Sequence, residues 1–362
     1  MSYAGLVIGL GGAGNALGTL IGGIVADKWG RRPAMLGATV PAAITMVSLG
    51  LTHNQWVIPA LSLLLGTLLG IARPAYGATI VDVVGDKDRA RALTLNYWAI
   101  NIGFSAAMLL AGLLAHTRPI LLFTTNATVL LLVGLLIAVK VPETRPVAPV
   151  TERPAAIGLG AVFRDRTFVV FVLINLLTWT MIEACEMLPA SLTEDGLGAT
   201  SYGQIIVVNG LMIVVGQLFM PKLIARFRRD RMLAVSALTI GVGFGLVVFA
   251  DSLWMYMVTV GVWTFGEMLM VPATSALVAD LSPPDARGRY QGVASFGFTG
   301  ATFLGPVGGG LVAQHLGTTT LWLVVAGLGV VVAVANLVVG PARARRVAIM
   351  RATSRDRELV AA

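Results

Sequence analysis

Apolar residues run through this chain in long blocks, separated by short polar turns and by one longer polar segment. Each block holds about twenty residues, enough to cross a bilayer core as a helix. Backbone groups in lipid must find partners inside their own segment, so blocks of this kind are helical. The pattern predicts helices at about 4–26, 33–53, 56–84, 92–115 and 119–139. Six more follow at 167–192, 203–225, 231–250, 254–281, 290–314 and 319–341. The segment between the two sets, "VPETRPVAPVTERPAAIGLGAVFRDR" at 141–166, carries four prolines and several charges and is predicted to be a linker. The expected fold class is therefore all-α integral membrane, arranged as an N-terminal bundle of five helices (1–140), a linker (141–166), a C-terminal bundle of six (167–341) and a basic tail (342–362).

Composition agrees: 56% of residues are hydrophobic and 12% charged, about half the charged share of an average soluble protein. The net charge of +8 would suit a nucleic-acid binder, but its placement says otherwise. Of the 26 Lys and Arg residues, 24 fall in alternate loops, in the linker or in the tail, all on one side of the predicted helices. Positive charge stays on the cytoplasmic side, which orients the chain with the linker and C-terminus inside the cell and makes nucleic acid an unneeded partner. The single cysteine, Cys185, excludes an intrachain disulfide. His53, His116 and His315 all fall in outer loops, so neither an enzyme centre nor a metal or other cofactor is expected.

The two sets of helices are related. "PAYGATIVDVVGDKDRAR" (74–91) and "PATSALVADLSPPDARGR" (272–289) share Pro, two Ala, Asp and two Arg at a constant spacing of 198 residues. The same spacing carries the charged turn Lys28, Trp29 and Arg31 onto Arg226, Phe227 and Arg229. One spacing in two loops marks two pseudo-symmetric halves. Carried back by 198, the sixth predicted helix has no counterpart in the chain, so one further helix upstream of residue 1 is expected.

"GGIVADKWGRRPAM" (22–35) contains the pattern G-x-x-x-D-K-x-G-R-R as Gly23, Asp27, Lys28, Gly30, Arg31 and Arg32. With two six-helix halves and a long central linker, it resembles the major facilitator superfamily of secondary transporters, over essentially the whole chain. Arg73 and Gly77 match a looser motif of that family, R-x-x-x-G. "GEMLMVP" (266–272) and "RGRYQG" (287–292) resemble its drug:proton antiporter branch. "AMLLAG" (107–112) departs from that branch, which carries Gly-Pro there; the second half has "GPVGG", with Gly305, Pro306 and Gly309. The resemblance implies a cytoplasmic gate in which Asp27 faces the start of the helix at 290–314 and Arg31 pairs with Asp82.

Charges inside apolar helices are expensive, at least about 2.5–3.5 kcal/mol each at mid-helix, so each is a functional candidate. Arg73, Glu183, Glu186 and Glu267 qualify. Arg73 is about eleven residues, roughly 16 Å, from the basic end of its helix. Glu183 and Glu186, three apart, would share one helix face. The glutamates are expected to accept protons or bind a cationic substrate, with Arg73 as a fixed positive charge beside them. An Arg–Glu pair of structural use is the plain alternative. "GLGGAG" (9–14) imitates a dinucleotide loop but lacks room for the strand–turn–helix that such a site needs. Its glycines continue as Gly14, Gly18 and Gly22, a spacing that lets membrane helices approach closely.

The expected function is transmembrane transport of small molecules by alternating access, as proton-coupled efflux of amphipathic compounds or drugs from a monomer in the plasma membrane. Its partners would be a small-molecule substrate, protons and membrane lipid. An importer of a sugar, organic acid or peptide, and a transport-inactive truncated membrane protein, remain as alternatives. The charge pattern makes a direct prediction. Reporter fusions after Arg32 and after Ala362 give the same cytoplasmic signal; opposite signals would overturn the topology.

Overall fold

The computed structural model describes residues 3–84, 88–114, 119–144, 159–216, 219–220, 227–283 and 287–361. In the first half the apolar blocks form α1 (Tyr3–Trp29), α2 (Arg31–Leu51), α3 (Val57–Val83), α4 (Arg89–Leu114) and α5 (Pro119–Lys140). A short α6 (Leu159–Arg164) follows the linker. The second half contains α7 (Arg166–Glu183), α8 (Leu188–Glu194), α9 (Ala199–Gly216), α10 (Arg229–Gly245), α11 (Leu253–Leu281), α12 (Arg287–Leu316) and α13 (Thr318–Ala361). Among the described residues there is no strand, and nine helical stretches are long and apolar enough to cross a membrane. Two shorter apolar helices, Trp98–Ala111 and Thr200–Gly216, accompany them.

The spacing of 198 reappears in the helix boundaries. It carries the start of α2 at Arg31 onto the start of α10 at Arg229, and the start of α4 at Arg89 onto the start of α12 at Arg287. Packing repeats as well: α2 lies against α3 and α5, as α10 lies against α11 and α13.

Three boundaries differ from the sequence expectation. The helix expected at 167–192 is broken, with a 3-10 turn at Ala184–Met187 between α7 and α8. The break falls just before Pro189, which lies in the first turn of α8, where a residue without an N–H is tolerated. Helix α9 begins at Ala199, ahead of the expected 203, and its expected end at 225 lies outside the described residues. The last helix does not stop at 341. Pro341 lies inside α13, which continues through the basic segment to Ala361. That segment is rich in Ala and Arg, both strong helix formers. The buried Arg343 reaches back across the proline to the Asn336 carbonyl (2.7 Å) and amide oxygen (3.0 Å).

By packing, the chain separates into two compact units. The first comprises Met1–Pro149, Glu186–Leu211 and Thr302–His315; the second comprises Val150–Cys185, Met212–Ala301 and Leu316–Ala362. The first unit has a hydrophobic core cluster at Ala26, Ala34, Met35, Ala75 and Ile137. In the second, Phe244 of α10 stacks between Trp263 of α11 (5.3 Å) and Trp322 of α13 (5.6 Å).

Glycine sets the closest helix crossing. A Cβ at Gly14, Gly18 or Gly22 of α1 would overlap the carbonyl oxygens of Leu63, Thr67 and Ile71 in α3. On the other side, a Cβ at Gly66 or Gly70 would overlap those of Gly11 and Asn15. The clashing atoms are backbone and cannot swing away. Gly18→Leu is therefore expected to lower the thermal unfolding midpoint of the detergent-solubilised protein by several degrees, about 2–4 °C for each kcal/mol of overpacking. Gly37→Leu on α2, where a Cβ meets open space, is the control and does not lower the midpoint.

Candidate functional site

At the basic-loop end of the first unit, α1 turns into α2 through Gly30, whose φ of 108° is a conformation that side-chain-bearing residues avoid. The turn fills that end with charge. Lys28 is exposed, Arg31 is buried and Arg32 is half-buried, its guanidinium donating to the Ala138 carbonyl. Gly23 is half-buried, with open space where a Cβ would stand. The side chains of Asp27 and Asp82 lie outside the described residues, and the gate contacts expected of them lie there too.

The structure adds a partner to this turn. Glu143, three residues beyond the end expected for the first bundle, accepts hydrogen bonds from the backbone N–H groups of Arg31 (2.9 Å) and Arg32 (3.1 Å). Its carboxylate sits on the positive end of α2, where the first N–H groups of a helix have no partner of their own. A Cβ at Gly30 would come within 2.5 Å of that carboxylate, so glycine meets two requirements here, the φ and the space. Nothing in the sequence separates Glu143 from Glu152 and Asp165, the other acids of the linker. Only the fold does.

The second unit repeats the theme with other residues. Arg229 and Asp280, which occupy the positions of Arg31 and Asp82 after the 198-residue spacing, form an ion pair; Arg229 also donates to the Ala276 carbonyl (3.2 Å). Asp165 caps α7 by accepting from the Phe168 N–H (3.1 Å). It also accepts from the Tyr290 hydroxyl (2.8 Å) and pairs with Arg346, tying α7, α12 and α13 at one point. An Asp before an apolar run is a readable cap. The two long-range ties are not readable from sequence.

The ionisable candidates within apolar helices belong to different units. Arg73, on the exposed side of α3 between the buried Ala72 and Ala75, and Glu186 belong to the first; Glu183 and Glu267 belong to the second. Glu183 is the last residue of α7 and Glu186 lies in the 3-10 turn, both half-buried, so the expected common α-helical face is interrupted between them. Glu267 is half-buried in α11 between Gly266 and Met268, which are buried. A Cβ at Gly266 would press on Ile240 and the Ser236 carbonyl of α10, so this part of α11 is held tightly. Neither charge belongs to the repeated framework: 198 residues away, Arg73 meets Val271 and Glu267 meets Leu69. Gly305, Pro306 and Gly309 are buried in α12, and beside them a Cβ at Gly12 would strike the backbone of Thr302.

The Glu143 cap carries a stability prediction. Glu143→Ala removes it and costs about 1 kcal/mol, seen as a lower unfolding midpoint. Glu143→Gln keeps an acceptor without the charge and loses less.

The model of the Major Facilitator Superfamily matches residues 1–187 and again 187–355. A Na(+), Li(+), K(+)/H(+) antiporter of Planococcus maritimus is 26% identical over 80% of this chain and 76% of its own length. Multidrug resistance protein MdtH of Aeromonas salmonicida is 27% identical over 86% of this chain and 79% of its own. Among solved structures, the nucleoside transporter NupG superposes with a TM-score of 0.78 at 18% identity, covering 93% of this chain and 90% of that one. The human organic anion transporter MFSD10 does so with a TM-score of 0.69 at 19% identity, covering 92% and 83%.

Proposed function

The chain belongs to the major facilitator superfamily and is a multi-pass membrane transporter, and from that premise we propose that it exports small amphipathic molecules in exchange for protons. The observation that carries this reading is a set of carboxylates kept half-buried in otherwise apolar helices, Glu183, Glu186 and Glu267. A proton crossing 100 mV supplies about 2.3 kcal/mol, and using it requires a titratable group along the path. The drug-resistance name of the MdtH relatives supports an amphipathic cargo, and the name of the Planococcus relative supports exchange against protons. That relative also favours a second reading, in which the cargo is an alkali cation.

In this proposal two bundles, 1–140 and 167–341, rock about a site at the bilayer midplane while the linker and the tail stay in the cytoplasm. Gly23, Asp27, Lys28, Gly30, Arg31, Arg32 and Asp82 form the cytoplasmic gate. Arg73 and the glutamates carry the coupling. Glu267 is the first choice for the alternating proton site, because it is half-buried in an apolar span whose backbone packs closely on α10 at Gly266.

Glu267→Gln keeps the size of the side chain and cannot titrate. In everted vesicles, it is expected to cut accumulation of a fluorescent amphipathic cation driven by a pH gradient by about tenfold or more, while downhill exchange persists. Replacing the dye with Na+ tests the second reading in the same vesicles. Uphill transport with an unchanged pH dependence would make Glu267 structural and pass the role to Glu183.

A further inference from the structure

The two halves treat the start of their equivalent helices differently. In the first, the Glu143 carboxylate lies on the opening N–H groups of α2. Carried by 198 residues, that helix start becomes Arg229 and Asp230 at the head of α10, and Glu143 becomes Pro341. The N-cap residue of α10, Arg228, makes no side-chain cap. At this head, within the second unit, lies a cavity of about 510 Å3 whose lining includes Arg228, Arg229, Asp230, Asp280, Gly340 and Arg343.

The charges around the cavity do not balance. Arg228 grips Asp230 through Nε (3.2 Å) and Nη2 (3.1 Å), and Arg229 pairs with Asp280. Among the described lining residues Arg343 is the third cation; the charge of Asp230 reaches it, but each of the two carboxylates already holds another arginine. It is 2% exposed, bonds only Asn336 through Nη2, and among the described residues its Nε and Nη1 have no hydrogen-bond partner. A guanidinium buried with idle N–H groups is unfavourable unless an anion meets it. Its planar fork suits a carboxylate or phosphate, and the adjacent helix start favours the same sign of charge. Gly340 keeps the floor open, since a Cβ there would strike the Asp230 carboxylate at 2.8 Å.

We propose that this cavity binds a phosphate-type oxyanion, which stands at the head of α10 as Glu143 stands at the head of α2. The site lies at the basic-loop end of its helices, so two sources can supply the group: the headgroup of an anionic phospholipid, or free phosphate in the cytoplasm. Ligand binding of this kind stabilises the folded state and is read without any transport assay.

The test uses the full chain and its thermal unfolding midpoint. In neutral detergent, sodium phosphate is compared with sodium chloride at equal ionic strength. In phosphate-free buffer, nanodiscs of phosphatidylcholine are compared with nanodiscs that also contain phosphatidylglycerol. Wild type is expected to rise by about 2–4 °C in one of the two comparisons. A rise with phosphate assigns the free anion; a rise with phosphatidylglycerol alone assigns the headgroup. Arg343→Gln abolishes the rise and Arg343→Lys keeps part of it. Ala344, an exposed cavity residue, gives an independent variant. Ala344→Glu supplies a tethered carboxylate, raises the midpoint without ligand and removes the response. A wild type that responds in neither comparison overturns the proposal, as does an equal rise in Arg343→Gln or an unchanged response in Ala344→Glu.

Discussion

In the hydrocarbon of a bilayer a peptide group has no water to turn to. Every N–H and C=O must therefore be paired within its own helix, and the fold reduces to how such helices lie against one another. Lipid is as apolar as leucine, so burying apolar side chains does not drive one helix onto the next. Close backbone approach takes over that task. The crossing of α1 and α3 is built on glycines from both helices, each leaving room for a carbonyl of the other. The same constraint leaves unpaired groups only at helix ends, and the polar chemistry of this molecule gathers there. Gly30, Glu143, Asp165 and Arg229 act at or beside a helix terminus, and Arg343 of α13 lines the cavity at the head of α10.

Helix ends also explain why the two halves repeat in outline and differ in detail. The repeat preserves boundaries and partners: α2 with α3 and α5, α10 with α11 and α13. What it requires at the head of α2 or α10 is negative charge near the positive end of a helix, without specifying which residue brings it. The first half brings a linker glutamate. The second places Asp230 in the first turn and secures it with Arg228, leaving the arginine of α13 over. Electrostatic demand is shared; the residues that meet it differ.

That distinction separates what the sequence reveals from what it hides. Helix existence and order were legible because a membrane span must be long and apolar, and α2, α3, α5 and α11 lie within about two residues of their expected bounds. The spacing of 198 was legible because it is a pattern along the chain. Neither the break before α8 at Pro189 nor the extension of α13 past Pro341 could be read, because a proline is compatible with a stop and with a kink, and the choice rests on packing. Glu143 and the tie of Asp165 to Tyr290 and Arg346 were hidden for a deeper reason. They join residues more than a hundred positions apart, and neither charge nor periodicity along the chain distinguishes them from neighbours facing solvent.

The charges with no repeat counterpart carry the strongest argument about function. Part of the framework recurs residue for residue, as Pro74 does in Pro272 and Arg31 in Arg229. Arg73 and Glu267 do the opposite: each sits in the repeated helix, and at the equivalent place the other half has valine or leucine. The framework therefore stands without a charge at either position, since one copy of it does. Holding an ionisable group at mid-helix in an apolar span costs at least about 2.5–3.5 kcal/mol on insertion scales. The proposed function sets that cost against a task, the handling of a charged cargo or a proton inside the membrane.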